Sequence, residues 1–148
     1  MNTAWETYHR RATALREVVA ALDAGAELPF GPSEQTVFDD RDDLLQALHD
    51  MWTRRVETRV DIALEMGVFP REQGVGRAWR EVAAELPGVR RILDDYRDDP
   101  ALRAHEQHEH RLLAVAAGHA SLDDPIARSA EAGARLVAAL RGSSTTAA

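Results

Sequence analysis

Apolar residues recur along this chain at alternating spacings of three and four, the period of an α-helix with one buried stripe. Trp5, Tyr8, Ala12, Leu15, Val19 and Leu22 form the first such series. Thr3 and Glu6 have the spacing of a capping box, and Gly25 is a natural stop. A first helix is therefore predicted between them. A second is predicted from about Arg41 to Met66, ending at Gly67, with Leu45, Leu48, Trp52, Val56, Val60 and Ala63 on one face. At ~1.5 Å per residue it would be roughly 39 Å long. One small domain does not cover such a helix along its whole length, so part of it is expected to pack against a second copy.

Between these helices, residues 24–39 hold two Pro and two Gly and keep no sustained period. They read as a long connection pinned by Leu28, Phe30, Val37 and Phe38. The run Asp39-Asp40-Arg41-Asp42-Asp43 opens the second helix, where the positive end of the helix dipole explains its four carboxylates. Beyond Gly67 a shorter helix carries Val75, Trp79, Val82 and Leu86 up to Pro87-Gly88, and a fourth carries Val89, Ile92, Leu93 and Tyr96. Asp98-Asp99-Pro100 and Asp123-Asp124-Pro125 each set an Asp cap before a Pro in the first turn. These motifs open a fifth helix over about 100–118 and a sixth over about 125–141. Gly133 and the alanines around it would let another helix approach the sixth closely. No segment shows the β-branched alternation of a strand. The expectation is an all-α, single-domain orthogonal or up-down bundle of about six helices over residues 1–141, followed by a disordered tail at 142–148.

Composition narrows the chemistry. Leu, Ile, Val and Phe number 32 and Ala 26 among 148 residues, enough for a core without staples. All 18 basic residues are Arg, and both Lys and Cys are absent. These absences exclude a Schiff-base lysine, a Walker lysine, a thiol nucleophile, a disulfide framework and Cys-ligated metal. The formal charge of −7 argues against a general nucleic-acid binder, which must neutralise phosphates. No apolar run approaches the ~18 residues of a membrane span, and the N-terminus has no charged region leading into an apolar one. The chain reads as cytoplasmic, with no membrane partner. The length of the second helix and the small-residue face of the sixth point to a homodimer.

What chemistry remains is concentrated in His105-Glu106-Gln107-His108-Glu109-His110. His105 and Glu109 lie one turn apart near the centre of the apolar arc defined by Leu102, Leu112, Leu113 and Ala116, so both are expected to point inward. Arg59 falls on the stripe of Trp52, Val56 and Ala63, flanked by Arg55, with His49 at its other edge. A buried guanidinium needs a carboxylate, and Glu109 is the candidate. The sequence thus predicts an interior cluster of Arg59, Glu109 and His105, with Arg55 and His49 nearby. As closed packing, it would fix helix register. As an open pocket, it would make the chain a non-enzymatic module binding a protein partner or a small anionic ligand through Arg55, Arg59, His49, His105 and Glu109, with no cofactor. The alternative is an enzyme working by acid–base chemistry or with a divalent metal held by His105 and Glu109.

Two fragments resemble known families. His105-x-x-x-Glu109 is similar to one element of the hemerythrin di-iron site, and His119 with Asp124 reproduces a His-x4-Asp spacing, although the required His-x-x-x-His pair is missing. Arg103-Ala-His-Glu-Gln-His108 resembles the Arg-x4-His motif of the helical HEPN nucleases, with Ala104 where a polar residue usually stands. Arg10-Arg11, Arg54-Arg55 and Arg90-Arg91 are expected to be solvated faces. Trp5, Trp52 and Trp79 are expected to be core or interface anchors.

Overall fold

The computed structural model describes residues 3–146, with side chains described through residue 142. The chain is all-α: among the described residues there are seven α-helices, one 3-10 turn and no strand. In chain order the helices are α1 (Ala4–Asp23), α2 (Pro32–Gln35), α3 (Arg41–Glu65), α4 (Arg71–Glu85), α5 (Pro87–Asp95), α6 (Arg103–Ala117) and α7 (Ile126–Thr146), with the 3-10 turn at Pro100–Leu102 before α6. The six predicted helices are α1 and α3 to α7. The addition is the four-residue α2, which lies inside the predicted connection. No helix among the described residues is long and apolar enough to cross a membrane.

Packing divides the chain into two compact units, Met1–Met51 with Leu86–Leu102, and Trp52–Glu85 with Arg103–Ala148. In the first unit the capping box forms as read: the Thr3 amide donates to Glu6 and the Glu6 amide to the Thr3 hydroxyl. At the start of α3 the Asp43 amide donates to Asp40 Oδ1 at 2.7 Å, so the acidic run caps the helix, as its dipole demands. Asp43 also accepts two hydrogen bonds from the Arg11 guanidinium, at 3.0 and 2.8 Å. The Arg11 bond holds the Asp43 carboxyl below the usual carboxylate range. Packing of α1 against α5 depends on Gly88: a Cβ there would lie 2.2 Å from the Leu22 carbonyl carbon. The Gly88 amide donates to Asp23, and Arg91 donates to the carbonyls of Leu22 and Ala26, covering the exposed end of α1. Arg11 and Arg91 are therefore structural partners and not the solvated residues the sequence suggested. Within the 24–39 connection Phe38 is buried, while Leu28, Phe30 and Val37 are half-buried.

The first helix corrects one expectation sharply. Trp5 and Tyr8 belong to its apolar series, yet they are 69% and 65% exposed, and only Val18 and Leu22 of α1 are buried. The series is apolar over its whole length, but within the chain only its C-terminal part is covered.

In the second unit α6 packs on α7, and α4 touches both. Buried residues include Trp52, Val56 and Val60 on α3, Val75, Trp79 and Val82 on α4, Leu113, Ala114 and Ala117 on α6, and Leu136, Val137 and Leu140 on α7. The Trp52 and Trp79 rings meet edge to face with centroids 5.7 Å apart, a favoured aromatic geometry. Gly133 admits a close helix approach as predicted, and the neighbour is α6 of the same chain, so this face is already used. The predicted Asp124 cap is also corrected: its carboxylate turns back to accept from the Ser121 amide at 2.8 Å. Asp99 behaves as read and accepts from the Ala101 amide. α7 stays helical to Thr146, past the expected end at 141. Ala147 and Ala148, the last residues of the expected disordered tail, lie outside the described residues.

Candidate functional site

Of the residues singled out by the sequence, Arg59 and Glu109 in the second unit take different partners. Glu109 points inward as predicted and is 4% exposed, but its Oε1 accepts from the Trp52 indole Nε1 at 2.8 Å. Arg59 turns to α4, donating to Glu81 at 2.9 Å and forming a second, shorter bond to Glu85. The predicted Arg59–Glu109 pair is therefore not formed. The reason lies in helical phase. Successive steps of four residues drift by about 40° relative to a 3.6-residue turn, so the buried line from Trp52 through Val56 reaches Val60 and leaves Arg59 on its flank. There it meets Glu81 and Glu85, one turn apart on the facing side of α4.

Arg55 joins the same array at 3.6 Å from Glu85, and Arg77 lies 3.1 Å from Glu81. The Arg59 bond is the main cause of a lowered Glu81 pKa, with the Arg77 bond second. Nη1 and Nη2 of Arg59 each donate to one of these carboxylates, which gives an ion-pair ladder with α4 where the sequence predicted a pair with Glu109. The Arg59 side chain is 31% exposed and both glutamates are 39% exposed, so solvent screens the ladder. Arg59→Met is accordingly expected to cost no more than about 1 kcal/mol in urea unfolding, against the ~3–5 kcal/mol of a broken buried pair. A loss near the larger figure would show that the ladder is shielded from water. His105 is half-buried on α6, one turn before Glu109, and His49 is buried in the first unit. No group of three or more His, Cys, Asp or Glu side chains among the described residues is arranged to hold a metal. Arg103 and His108 of the nuclease-like spacing are both exposed.

A different arrangement of polar groups occurs in the second unit. α6 ends at Gly118, whose φ of +81° suits a residue without a Cβ. The His119 amide donates to the Ala114 carbonyl at 2.9 Å and the Gly118 amide to that of Val115 at 3.1 Å, the paired bonds of a Schellman turn. This turn directs His119 towards the first turn of α4, where its Nε2 lies 3.1 Å from Glu72 Oε2. Arg71, preceding Glu72, lies against Gly118: its Nη2 would be 2.8 Å from a Cβ there. A guanidinium beside the last turn of α6 also suits the negative end of the helix dipole.

Glu72 and His119 form one side of a cleft of about 420 Å³, and Ala132, Arg135, Leu136 and Ala139 of α7 form the other. Arg135 is 70% exposed and held only by Glu131 one turn earlier, at 3.4 Å. No protein-family model, curated protein or solved structure matches this chain.

The chemistry on offer is plain. One imidazole and one guanidinium project over an apolar floor of two alanines and a leucine, with a second guanidinium beside them. Sequence reasoning placed His119 at a helix end and gave Glu72 no role. The two are 47 positions apart and meet only because α4 packs on α6, so neither helix's own pattern announces the pair.

Proposed function

We propose that this chain is a non-enzymatic helical binding module and that its ligand is a small anion taken up in the cleft of Glu72, His119 and Arg135. The observation that carries this reading is the convergence of His119 and Arg135 on a concave, small-residue floor. Its volume is within the roughly 300–1,000 Å³ of small-molecule sites. Arginine suits carboxylate and phosphate groups because its donors form a planar fork. Isothermal titration of the full chain with inorganic phosphate, and separately with succinate, tests the reading. Binding of at least one anion, weakened about tenfold or more in Arg135→Ala, is the expected result, since a charge-assisted pair contributes about 1.5–3 kcal/mol. Absence of heat with both anions at millimolar concentration overturns it.

A separate observation favours a protein partner as well, and we propose that this partner is a second copy of the chain. Trp5 and Tyr8 are exposed on successive turns of α1, and the His9 ring is tilted against Trp5 with centroids 4.0 Å apart and meets Tyr8 edge to face at 5.7 Å. Tryptophan and tyrosine in such positions are the usual anchors of interfaces. Sedimentation at tens of micromolar should show a dimer for the native chain and a monomer for the Trp5→Ser, Tyr8→Ser variant. A native chain that sediments only as monomer contradicts this assignment.

A further inference from the structure

Glu72 is an acid in a cleft whose other rim groups are basic. Its side chain is 56% exposed and reaches His119 from the first turn of α4, whereas the His119 side chain is 35% exposed. The backbone of His119 is pinned by its amide bond to the Ala114 carbonyl, and Gly118 before it sits in a left-handed turn. A carboxylate on a flexible, solvated stem thus rests against an imidazole whose anchor is fixed. An exposed pair of this kind is weak, because water competes for both partners. The other basic group of the rim has the same arrangement, since Glu131 and Arg135 meet at 3.4 Å with both side chains 70% or more exposed. Each basic side chain of the cleft therefore has an acidic side chain from the chain itself beside it.

We propose that Glu72 is a built-in competitor: its carboxylate occupies the place on His119 Nε2 that an oxygen of the anionic ligand takes, and ligand entry displaces it towards solvent. The proposal rests on the anion-binding reading of this cleft and adds its regulation and its ligand class. A displacing group must offer one oxygen to His119 and another to Arg135, with Arg71 adjacent. A carboxylate or phosphate with several oxygens meets this requirement, and a halide ion does not. Occupancy then depends on how strongly the ligand outcompetes one intramolecular carboxylate, so the empty cleft is held partly closed to weak anions.

The test is titration of the full chain with inorganic phosphate at fixed ionic strength, comparing the native protein with Glu72→Gln and using circular dichroism to confirm equal folding. Removing the competing charge should tighten phosphate binding about fivefold, through loss of both the pair with His119 and the repulsion of the ligand. In ¹⁵N spectra of the histidine rings, phosphate should move the His119 resonance in the native chain, and Glu72→Gln alone should move it in the absence of ligand. If the native chain binds phosphate and Glu72→Gln binds it equally or more weakly, Glu72 is a ligand-binding group or a bystander and the competitor role is overturned. If neither protein binds phosphate, or phosphate leaves the His119 resonance in place, this proposal fails, and the site reading beneath it fails as well if succinate does not bind either.

Discussion

Gly133→Ala is expected to lower stability by about 3 kcal/mol or more, and in a chain of this size to lower the melting temperature by roughly 10 °C. A Cβ on residue 133 would stand 1.7 Å from the His110 carbonyl oxygen, 2.3 Å from its carbon and 2.7 Å from its Cα. All three obstacles are backbone atoms in the middle of α6, so no rotamer change relieves the clash. The helices must separate, and with them the packing of Ala114, Ala117, Leu136 and Val137 loosens. Gly142→Ala is the internal control: nothing lies within 4 Å of a Cβ there. That substitution removes a poor helix former from α7 and should be neutral or stabilise by up to about 1 kcal/mol. Thermal and urea unfolding followed by circular dichroism measure both variants. Equal midpoints for Gly133→Ala and the native chain would mean that α6 and α7 do not approach this closely.

The second large effect is expected at Trp52. Replacing it with Phe keeps an aromatic ring near Trp79 but removes the N–H that Glu109 accepts at 2.8 Å, with Trp52 fully buried and Glu109 nearly so. Removing the donor from a bond to a buried acceptor costs about 1–3 kcal/mol, and the smaller ring leaves unfilled volume, so a loss of about 2–4 kcal/mol is expected. Trp52→Phe combined with Glu109→Met, which has no oxygen to accept the bond, separates the two causes. A coupling of about 1–3 kcal/mol in the double-mutant cycle is the signature of the bond. Strict additivity would assign the whole loss to packing and remove Glu109 from the account.

These two sites differ in how far the sequence reveals them. Glu109 could be placed inward from the phase of α6 alone, because Leu113 one turn later on the same helix marks the buried direction. Its partner could not, because a carboxylate on one helix says nothing about which donor another helix brings. Arg59 and Trp52 are both on α3, seven residues apart and only about 20° from each other in projection. The small drift of the buried line along α3 then decides that Trp52 faces the interior and Arg59 faces Glu81 and Glu85. Gly133 was legible as a place of close approach, although the approaching helix turned out to be α6 rather than one from another chain. The Glu72–His119 pair was illegible, since each residue sits at a helix end where no periodic pattern orients a side chain.

The amino-acid sequence by itself determined the six longer helices: most of their limits and the glycines that end them. These features arise from interactions within a few residues, namely apolar period, capping box, Schellman turn and helix dipole, and such local forces act before any distant segment is in place. It also determined which chemistries are missing, since a chain without Lys or Cys cannot use them in any fold. Tertiary structure decided which charges meet. It gave Arg59 to Glu81 and Glu85, Glu109 to Trp52, Arg91 to the end of α1 and His119 to Glu72, and it left Trp5 and Tyr8 uncovered. The physical reason is that a side chain's direction depends on its own helix, whereas its partner depends on how several helices settle into close packing around glycines such as Gly88 and Gly133.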